Sequence, residues 1–260
     1  MPSKTPIHPT LPVAPWLGGK RNLAKCLTAM IDALPCTTYV EPFVGMGGVF
    51  LRRKQRPRAE VINDLGGDVA NLFRILQRHY PQFLEVLRFQ LTTRAEFNRL
   101  VDTDPATLTV LERAARFFYL QRTAFGGKVS GRNFGVSRDR PGRFNLSTLE
   151  PMLEDLHSRL SGVIIECLSY QDILTRYDAP KTLFYLDPPY WGCENDYGKA
   201  MFRRDDFAQM ADQLAGLRGR FVMSINDVPE IRELFAQFKI EEVKVSYTIG
   251  AKTDRAPMRA

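Results

Sequence analysis

The chain has 260 residues, of which 44% are hydrophobic and 25% are charged, a composition typical of a globular protein with one substantial core. No apolar run is long enough to span a membrane, and the N-terminal residues lack the apolar region of a signal peptide, so we expect a cytoplasmic protein without membrane contacts. The formal net charge of +7 favours a polyanionic partner if the positive charge is localised.

The first motif in chain order is a glycine pair that precedes a predicted helix over residues 23–34. The motif is Trp16-Leu17-Gly18-Gly19-Lys20, and the residues after it are apolar at helical spacing. A Gly-Gly step before a helix exposes main-chain amides at the positive end of the helix, where a carboxylate or phosphate binds well. Taken alone, the motif is more typical of a flexible N-terminal turn.

A strand, a glycine-rich turn and a second strand follow this helix. The first strand begins at Thr38, and the turn contains Gly45 and Gly47, which let the main chain approach a ligand where a Cβ atom would intrude. We expect a helix after the turn and a second strand over residues 59–64. Asp64 ends that strand at close to the offset of about 20 residues at which a ribose-binding acid follows a nucleotide loop. The pattern favours a nucleoside site, with a helix-capping role for Asp64 as the alternative.

Residues 68–122 are predicted to be helical, and the basic segment 121–145 follows them. This segment carries one acid, Asp139, and its basic residues are interleaved with glycines and phenylalanines. Such a loop or hairpin suits a nucleic-acid groove, because its charge binds phosphates and its guanidinium groups bind base edges. A solvated surface is the alternative. The residues that we expect to contact nucleic acid here are Arg122, Lys128, Arg132, Arg138, Arg140 and Arg143.

The rest of the chain alternates strands and helices. Further strands are predicted over residues 163–167, 183–187, 221–225 and 240–247, with helices over residues 148–160, 205–217 and 229–238. This alternation predicts an α/β protein with a doubly wound, mostly parallel, Rossmann-like sheet. The helical and basic block interrupts the alternation, so we predict a discontinuous sheet domain, residues 1–75 and 161–260, with an inserted domain over residues 76–160.

The strand over residues 183–187 ends in the sequence Asp187-Pro188-Pro189-Tyr190. Because proline cannot donate to a strand ladder and keeps the preceding residue extended, the strand stops here. A carboxylate and an aromatic face therefore project from the carboxyl end of a strand, where ligands bind in open α/β sheets. A rigid turn after a core strand is the alternative, since a Pro-Pro pair alone indicates no more.

The cysteines and histidines indicate no metal site. The four cysteines form no CxxC pair, and the three histidines lie far apart in the sequence. Reduced thiols in a cytoplasmic protein are the simpler interpretation.

Together these motifs resemble the Dam-like family of DNA adenine-N6 methyltransferases, whose order is glycine–lysine motif, glycine-rich cofactor loop, target-recognition insertion and DPPY. DPPY is the most specific of the matches, which span nearly the whole chain: Trp16-Leu17-Gly18-Gly19-Lys20, Glu41-Pro42-Phe43-Val44-Gly45-Met46-Gly47, Asn63-Asp64 and Asp187-Pro188-Pro189-Tyr190. The resemblance implies methylation of adenine N6 in double-stranded DNA, with S-adenosylmethionine as methyl donor, by base flipping and direct in-line transfer. It also implies that residues 76–160 are the target-recognition insertion. We expect a monomer or a weak dimer.

The resemblance also assigns site residues. Trp16 and Lys20 would border the methionine end of the cofactor and the approaching DNA. The remaining cofactor residues would be Glu41, Phe43, Gly45 and Gly47 at the same end, Asp64 at the ribose, Tyr170 near the adenine, and Asp187. The catalytic residues would be Asp187, Pro188, Pro189 and Tyr190.

The chemistry of adenine fits these residue types. Its amino group is a poor nucleophile, because the nitrogen lone pair is delocalised into the ring. Hydrogen bonds from the N6 protons to the Asp187 carboxylate and the Pro188 carbonyl would favour a pyramidal nitrogen and stabilise the developing positive charge. Tyr190 would stack on the flipped base.

Two other functions stay open at this point. One is methylation of cytosine N4 or of adenine in RNA, although family members with aspartate before Pro-Pro favour adenine and the N4 enzymes more often have serine. The other is a non-catalytic DNA-binding protein that keeps the fold, against which the intact Asp187, Tyr190 and Gly45 argue.

The sequence departs from the family in two places. The basic segment does not match the recognition loop of GATC-reading members, so no target sequence is implied. The chain also ends soon after the predicted strand over residues 240–247, where the family usually adds a further strand. We therefore expect a shortened or altered sheet edge.

Overall fold

The centre of the computed structural model is a five-stranded parallel sheet. The structure describes residues 4–136, 138–139, 141–194, 196, 198 and 201–244. The strands in chain order are β1 Thr5–Pro6, β2 Thr38–Glu41, β3 Gln55–Arg56, β4 Ala59–Asn63, β5 Ile164–Glu166, β6 Thr182–Leu186 and β7 Arg220–Met223. The sheet has the order β5-β4-β2-β6-β7, and β1 and β3 form a separate antiparallel pair.

The strand order reverses at β2. This strand pairs in parallel with β4 on one side and with β6 on the other. In such sheets a crevice opens at the carboxyl ends of the strands on either side of the reversal, and ligands bind there. The predicted doubly wound fold is confirmed, and the carboxyl ends of β2, β4 and β6 meet at one edge.

Helices cover both faces of this sheet. They are α1 Ala24–Ala33, α2 Gly67–Arg78, α3 Tyr80–Leu87, α4 Arg94–Asp102, α5 Val110–Thr123, α6 Leu146–Arg159, α7 Tyr170–Tyr177, α8 Arg204–Ala215 and α9 Pro229–Leu234. Helices α1–α6 share one apolar core, and helices α7–α9 share a second one. None of the helices that the structure describes is long and apolar enough to cross a bilayer.

Strand β6 contributes to both cores. Leu183 and Tyr185 point into the core of α1–α6, whereas Phe184 and Leu186 belong to the core of α7–α9. All four side chains are fully buried, because side chains alternate between the two faces of a strand and both faces are covered by helices. This explains why the strand is a continuous apolar run that the sequence reveals clearly.

Some predicted elements differ from the observed ones. The turn after β2 is followed by a short 3₁₀ segment, Phe50–Arg52, in place of the expected helix. Helix α7 was not predicted. The predicted strand over residues 240–247 lies partly outside the described residues, and residues 240–243 are not in a strand. The inserted domain over residues 76–160 stays a prediction, and its helices α3–α6 pack into the same core as the sheet.

A buried ion cluster closes the amino end of the sheet. Glu60, on β4, is 1% exposed, and its two oxygens accept hydrogen bonds from Arg53 at 2.9 Å and from Arg159 at 2.7 and 2.8 Å. The guanidinium of Arg53 lies 3.7 Å from the centre of the Tyr39 ring. Arg56 adds a more exposed contact to Glu60 at 3.2 Å. Arg53 also pairs with Asp32 at 3.4 Å, but Glu60 is the carboxylate that binds both buried guanidinium groups.

We predict that Glu60→Gln lowers the free energy of unfolding by at least about 3 kcal/mol, because it leaves buried positive charge uncompensated. Equilibrium denaturation in urea measures the difference. Glu85→Gln is the matched control, since Glu85 pairs with Arg88 at the surface, and it should change stability by no more than about 0.5 kcal/mol. Equal stabilities of the two variants would contradict the assignment.

Candidate active site

A cleft of about 1430 Å³ opens at the carboxyl edge of the sheet. It brings together predicted site residues that lie far apart in the sequence: Trp16, Lys20, Glu41, Phe43, Gly45, Asp64, Tyr170, Asp187 and Pro189. Gly47, Pro188 and Tyr190 are neighbours of these residues in the chain but are not part of the cleft lining. Both predicted subsites, the one after β2 and the one after β6, therefore share one cleft.

Asp64 ties the glycine-rich turn to the start of α2. Its Oδ2 accepts a hydrogen bond from the Gly45 amide at 2.9 Å, and its Oδ1 accepts one from the Gly66 amide at 2.8 Å. Burial raises the pKa of Asp64 to about 6, although both amide donors oppose the shift. The N-cap of α2 is Gly66, and no side chain caps this helix, so Asp64 braces the residue before the helix without capping it. A carboxylate has about four acceptor sites, so Asp64 keeps the capacity to accept further hydrogen bonds.

The N-terminal motif packs directly on this turn. Gly45 has a φ of +49°, and a Cβ atom placed there would lie 2.5 Å from Nε1 of Trp16. Glycine is required at this position for two reasons, the left-handed main chain and the close approach of the indole ring. Residues 16–20 therefore pack against the glycine-rich turn, and Lys20 is buried.

Three aromatic side chains form one wall of the cleft. The ring centres of Phe43 and Tyr170 are 5.8 Å apart, and Phe202 lies 6.1 Å from the first and 5.9 Å from the second. The Tyr170 hydroxyl donates to the main-chain carbonyl of Asp206 at 3.0 Å, which fixes the ring. Sequence analysis missed Phe202, because this residue belongs to no motif and contacts Phe43 and Tyr170 only in the folded chain.

Glu41 ends β2 at the floor of the cleft. It is 2% exposed, and its Oε2 accepts a hydrogen bond from the Tyr39 hydroxyl at 2.7 Å. Burial raises the pKa of Glu41 to about 8, against the opposing effects of the Tyr39 hydrogen bond and of Arg53. A cation that enters the cleft would stabilise the ionised form of this buried carboxyl group.

Asp187 follows β6 and meets Lys20 from the N-terminal motif. The Lys20 Nζ lies 2.7 Å from Asp187 Oδ1, donates to the Gly18 carbonyl at 2.8 Å, and stands 4.5 Å from the centre of the Tyr190 ring. Burial raises the pKa of Asp187, while Lys20 and the Ser224 hydroxyl lower it. An amine is thus held between the carboxylate and the aromatic face.

Ser224 and Asn226, which follow β7, form hydrogen bonds to the turn that begins at Asp187. Ser224 Oγ donates to Asp187 Oδ1 at 2.9 Å. Asn226 accepts from the Trp191 amide at 2.8 Å and donates to the Trp191 carbonyl at 3.1 Å. Sequence analysis missed both residues, although polar residues directly after a parallel strand were an available signal.

The basic segment is only partly free to meet a ligand. Arg122 donates to the carbonyls of Val13 at 3.1 Å and Arg143 at 2.9 Å, and Arg143 donates to the Ala124 carbonyl at 3.0 Å. Arg122 and Arg143 therefore also fasten the segment to the rest of the chain.

The other basic residues of this segment differ in exposure. Arg132 is half-buried, donates to the Lys128 carbonyl at 3.2 Å, and lies 5.9 Å from the Phe117 ring centre. Burial lowers the pKa of Arg132 to about 10. Lys128 and Arg138 are exposed, and Arg140 lies outside the described residues.

Comparison of the whole sequence with known proteins extends the resemblance that the motifs indicate. Residues 16–249 match the model of the family described as D12 class N6 adenine-specific DNA methyltransferase. The chain is 24% identical over 246 residues to the type II methyltransferase M.CviBI of Paramecium bursaria Chlorella virus NC1A, covering 94% of each chain. It is 28% identical over 260 residues to the type II methyltransferase M1.LlaDCHI of Lactococcus lactis subsp. cremoris, covering 93% of this chain and 90% of the relative. It is 27% identical over 256 residues to the DNA adenine methylase of Escherichia coli K12, covering 91% and 88%.

We predict that Gly45→Ala weakens S-adenosylmethionine binding at least about tenfold, or about 1.4 kcal/mol, because the new Cβ atom displaces Trp16 from the cleft. Isothermal titration calorimetry measures the affinity. Gly126→Ala is the matched control: its φ is +70° and the added Cβ atom meets nothing within 4 Å. The control shares the main-chain strain and should keep the affinity, so equal losses in both variants would contradict the role of the Trp16 contact.

Proposed function

Because the chain belongs to the D12 class of N6 adenine-specific DNA methyltransferases, we propose that its cleft binds S-adenosylmethionine next to a target adenine held by Asp187. Family membership confirms the predicted reaction, methylation of the N6 amino group of adenine in DNA. The observation that carries the residue assignments is the cation held at Asp187, where Lys20 Nζ lies 2.7 Å from the carboxylate and 4.5 Å from the Tyr190 ring centre. Lys20 occupies Oδ1, so an adenine amino group is suited to donate to Oδ2, the second oxygen of the same carboxylate.

The residues of the cleft fit S-adenosylmethionine. The wall of Phe43, Tyr170 and Phe202 offers apolar surface to an adenine ring. Asp64, with Oδ2 at the glycine-rich turn and Oδ1 at the start of α2, is placed to accept hydrogen bonds from ribose hydroxyls. Glu41 is a buried carboxyl group suited to the α-ammonium group, and Trp16 closes the same end.

The cofactor, when bound, supplies an electrophilic methyl group on a positively charged sulfur. The protein groups at the target prepare the amine for it. Asp187 and the Pro188 carbonyl accept the N6 protons, which favours a pyramidal nitrogen and stabilises the positive charge that develops there. Tyr190 stacks on the base, and Pro189 keeps the turn rigid, so the nitrogen is held in line with the methyl group. No covalent bond to the protein is required.

The target adenine reaches this site by leaving the double helix. Asp187 is 19% exposed and lines the cleft at the carboxyl edge of the sheet, and a base stacked in a duplex keeps its neighbours on both faces and cannot enter such a cleft alone. Enzymes that modify a base commonly flip it out of the duplex into such a pocket. The basic segment 121–145 lines the same cleft through Arg122, Val129 and Arg143, and this supports its role in holding the DNA around the flipped base.

We predict that Asp187→Ala slows methyl transfer at least about a hundredfold, because the main acceptor of the N6 protons is lost. Single-turnover transfer of labelled methyl to duplex DNA, followed by nucleoside analysis, measures the rate and identifies the product. Cofactor affinity, measured by calorimetry, should stay largely intact.

Asp227→Asn is the matched control for this experiment. Asp227 also follows a strand at the same edge of the sheet, but it pairs with Arg232 and not with Lys20. The control should transfer methyl at close to the normal rate. Near-normal turnover of Asp187→Ala would contradict the catalytic assignment, and methylated cytosine in the product would contradict the adenine target.

We predict a division of labour within the basic segment. Lys128→Ala and Arg138→Ala should each weaken DNA binding, and a phosphate contact should reduce the salt slope by about one. A base-reading residue should instead cost about 1–3 kcal/mol on the preferred site only. Arg122→Ala should mainly lower thermal stability, because Arg122 binds main-chain carbonyls.

DNA binding across a salt series, together with sequencing of the methylated sites, measures these effects. Lys239→Ala is a charge-matched control, since Lys239 is 84% exposed and pairs with Glu241 after α9. If Lys128→Ala and Arg138→Ala behave like this control, the segment is a solvated surface and DNA is held elsewhere.

A further inference from the structure

A chain of hydrogen bonds reaches Asp187 from inside the sheet. The Tyr185 hydroxyl lies 2.8 Å from Ser224 Oγ, and Ser224 Oγ lies 2.9 Å from Asp187 Oδ1. A serine hydroxyl has one proton, and the Asp187 carboxylate accepts it, so Tyr185 must be the donor to Ser224. Tyr185 is 0% exposed and Ser224 is 8% exposed, so water does not substitute for either group.

The two donors on Asp187 use the same oxygen. Lys20 Nζ lies 2.7 Å from Oδ1, and the Ser224 hydroxyl also donates to Oδ1. These two bonds to Oδ1 fix the rotation of the Asp187 carboxylate about its χ2 bond. Oδ2 then remains as the oxygen that accepts a proton of the target amine.

The segment after β7 supports the whole turn that carries Asp187. The Ser224 amide donates to the Leu186 carbonyl at 3.0 Å, which continues the pairing of β6 with β7. Asn226, two residues further on, binds both main-chain polar groups of Trp191. Ser224 and Asn226 thus hold the beginning and the end of the turn, and Ser224 is the one that touches the carboxylate.

We propose that Ser224, supported by Tyr185, is a positioning residue for methyl transfer that orients the Asp187 carboxylate so that Oδ2 faces the target amine. The inference rests on the proposed catalytic role of Asp187. Ser224 itself acts through Asp187 and does not contact the reacting atoms.

The proposal has a consequence for the pH dependence of the reaction. The groups that face Asp187 are Lys20 from the N-terminal motif, Glu41 from β2, Tyr185 from β6 and Ser224 after β7. Burial raises the pKa of Asp187, and the Ser224 hydrogen bond lowers it. Asp187 acts as the carboxylate, so activity is lost as the pH falls through its pKa. Removing the Ser224 hydroxyl raises that pKa and moves the acid limb to higher pH.

The test compares single-turnover rates against pH, at saturating cofactor and duplex DNA, for the wild type, Ser224→Ala and Ser224→Thr. We expect Ser224→Ala to move the acid limb up by about one pH unit and to slow transfer about tenfold at neutral pH, since a hydrogen bond to a charged group is lost. Ser224→Thr keeps a hydroxyl and should restore most of the wild-type profile. Tyr185→Phe should shift the limb in the same direction by less.

Thr182→Val is the matched control, because it removes a buried hydroxyl at the opposite end of β6. It should leave the acid limb in place. An unshifted limb in Ser224→Ala, or in Tyr185→Phe if Ser224→Ala does not fold, overturns the proposal. If Asp187→Ala loses transfer but the acid limb of Ser224→Ala is unshifted, the role of Ser224 is refuted and that of Asp187 stands. An active Asp187→Ala refutes the role of Asp187 itself.

Discussion

Burial of carboxylates at the carboxyl edge of the sheet is the constraint on which the site depends. Asp187, Glu41 and Asp64 end or follow three neighbouring strands, and burial raises the pKa of each. Each retains its charge only as far as nearby donors compensate for the lost water. The donors are the Lys20 ammonium and the Ser224 hydroxyl at Asp187, the Tyr39 hydroxyl at Glu41, and two main-chain amides at Asp64. A cleft built in this way favours a positively charged ligand.

At the opposite end of the sheet, the charge of a buried carboxylate is compensated by cations. Glu60 is as deeply buried as Glu41, but two guanidinium groups bind both of its oxygens. The charges of that cluster pair with one another, and its contacts stabilise the fold. Glu41 faces the cleft with a single hydroxyl donor on Oε2. The two acids are equally buried and differ in their partners, and this difference supports the proposed ligand-binding role of Glu41.

The parts of this protein that sequence could predict are those encoded in contiguous residues. Strand β6 is an apolar run ended by two prolines, so both the strand and the position of Asp187 follow from local rules. Phe202 could not be found in this way, because it belongs to no motif and reaches Phe43 and Tyr170 only in the folded chain. Ser224 and Asn226 follow a parallel strand, which is a signal in the sequence, but their contacts with Asp187 and Trp191 depend on the pairing of β6 with β7. The arginines were also beyond sequence reasoning, since a count of charges does not reveal that Arg122 and Arg143 bind main-chain carbonyls.

The N-terminal motif, whose sequence signal is weak, links the glycine-rich turn, Asp187 and the basic segment. Its Trp16 ring packs on Gly45 of the cofactor turn, and its Lys20 binds Asp187. On the other side, the Leu17 amide donates to the Gly127 carbonyl at 3.2 Å, and Gln121 donates to the carbonyls of Pro15 at 2.8 Å and Gly127 at 2.6 Å. The basic segment is therefore joined to the cofactor turn and to Asp187 through one short stretch of main chain. Because that stretch touches all three, residues 15–20 would position DNA relative to the target amine in the function that we propose.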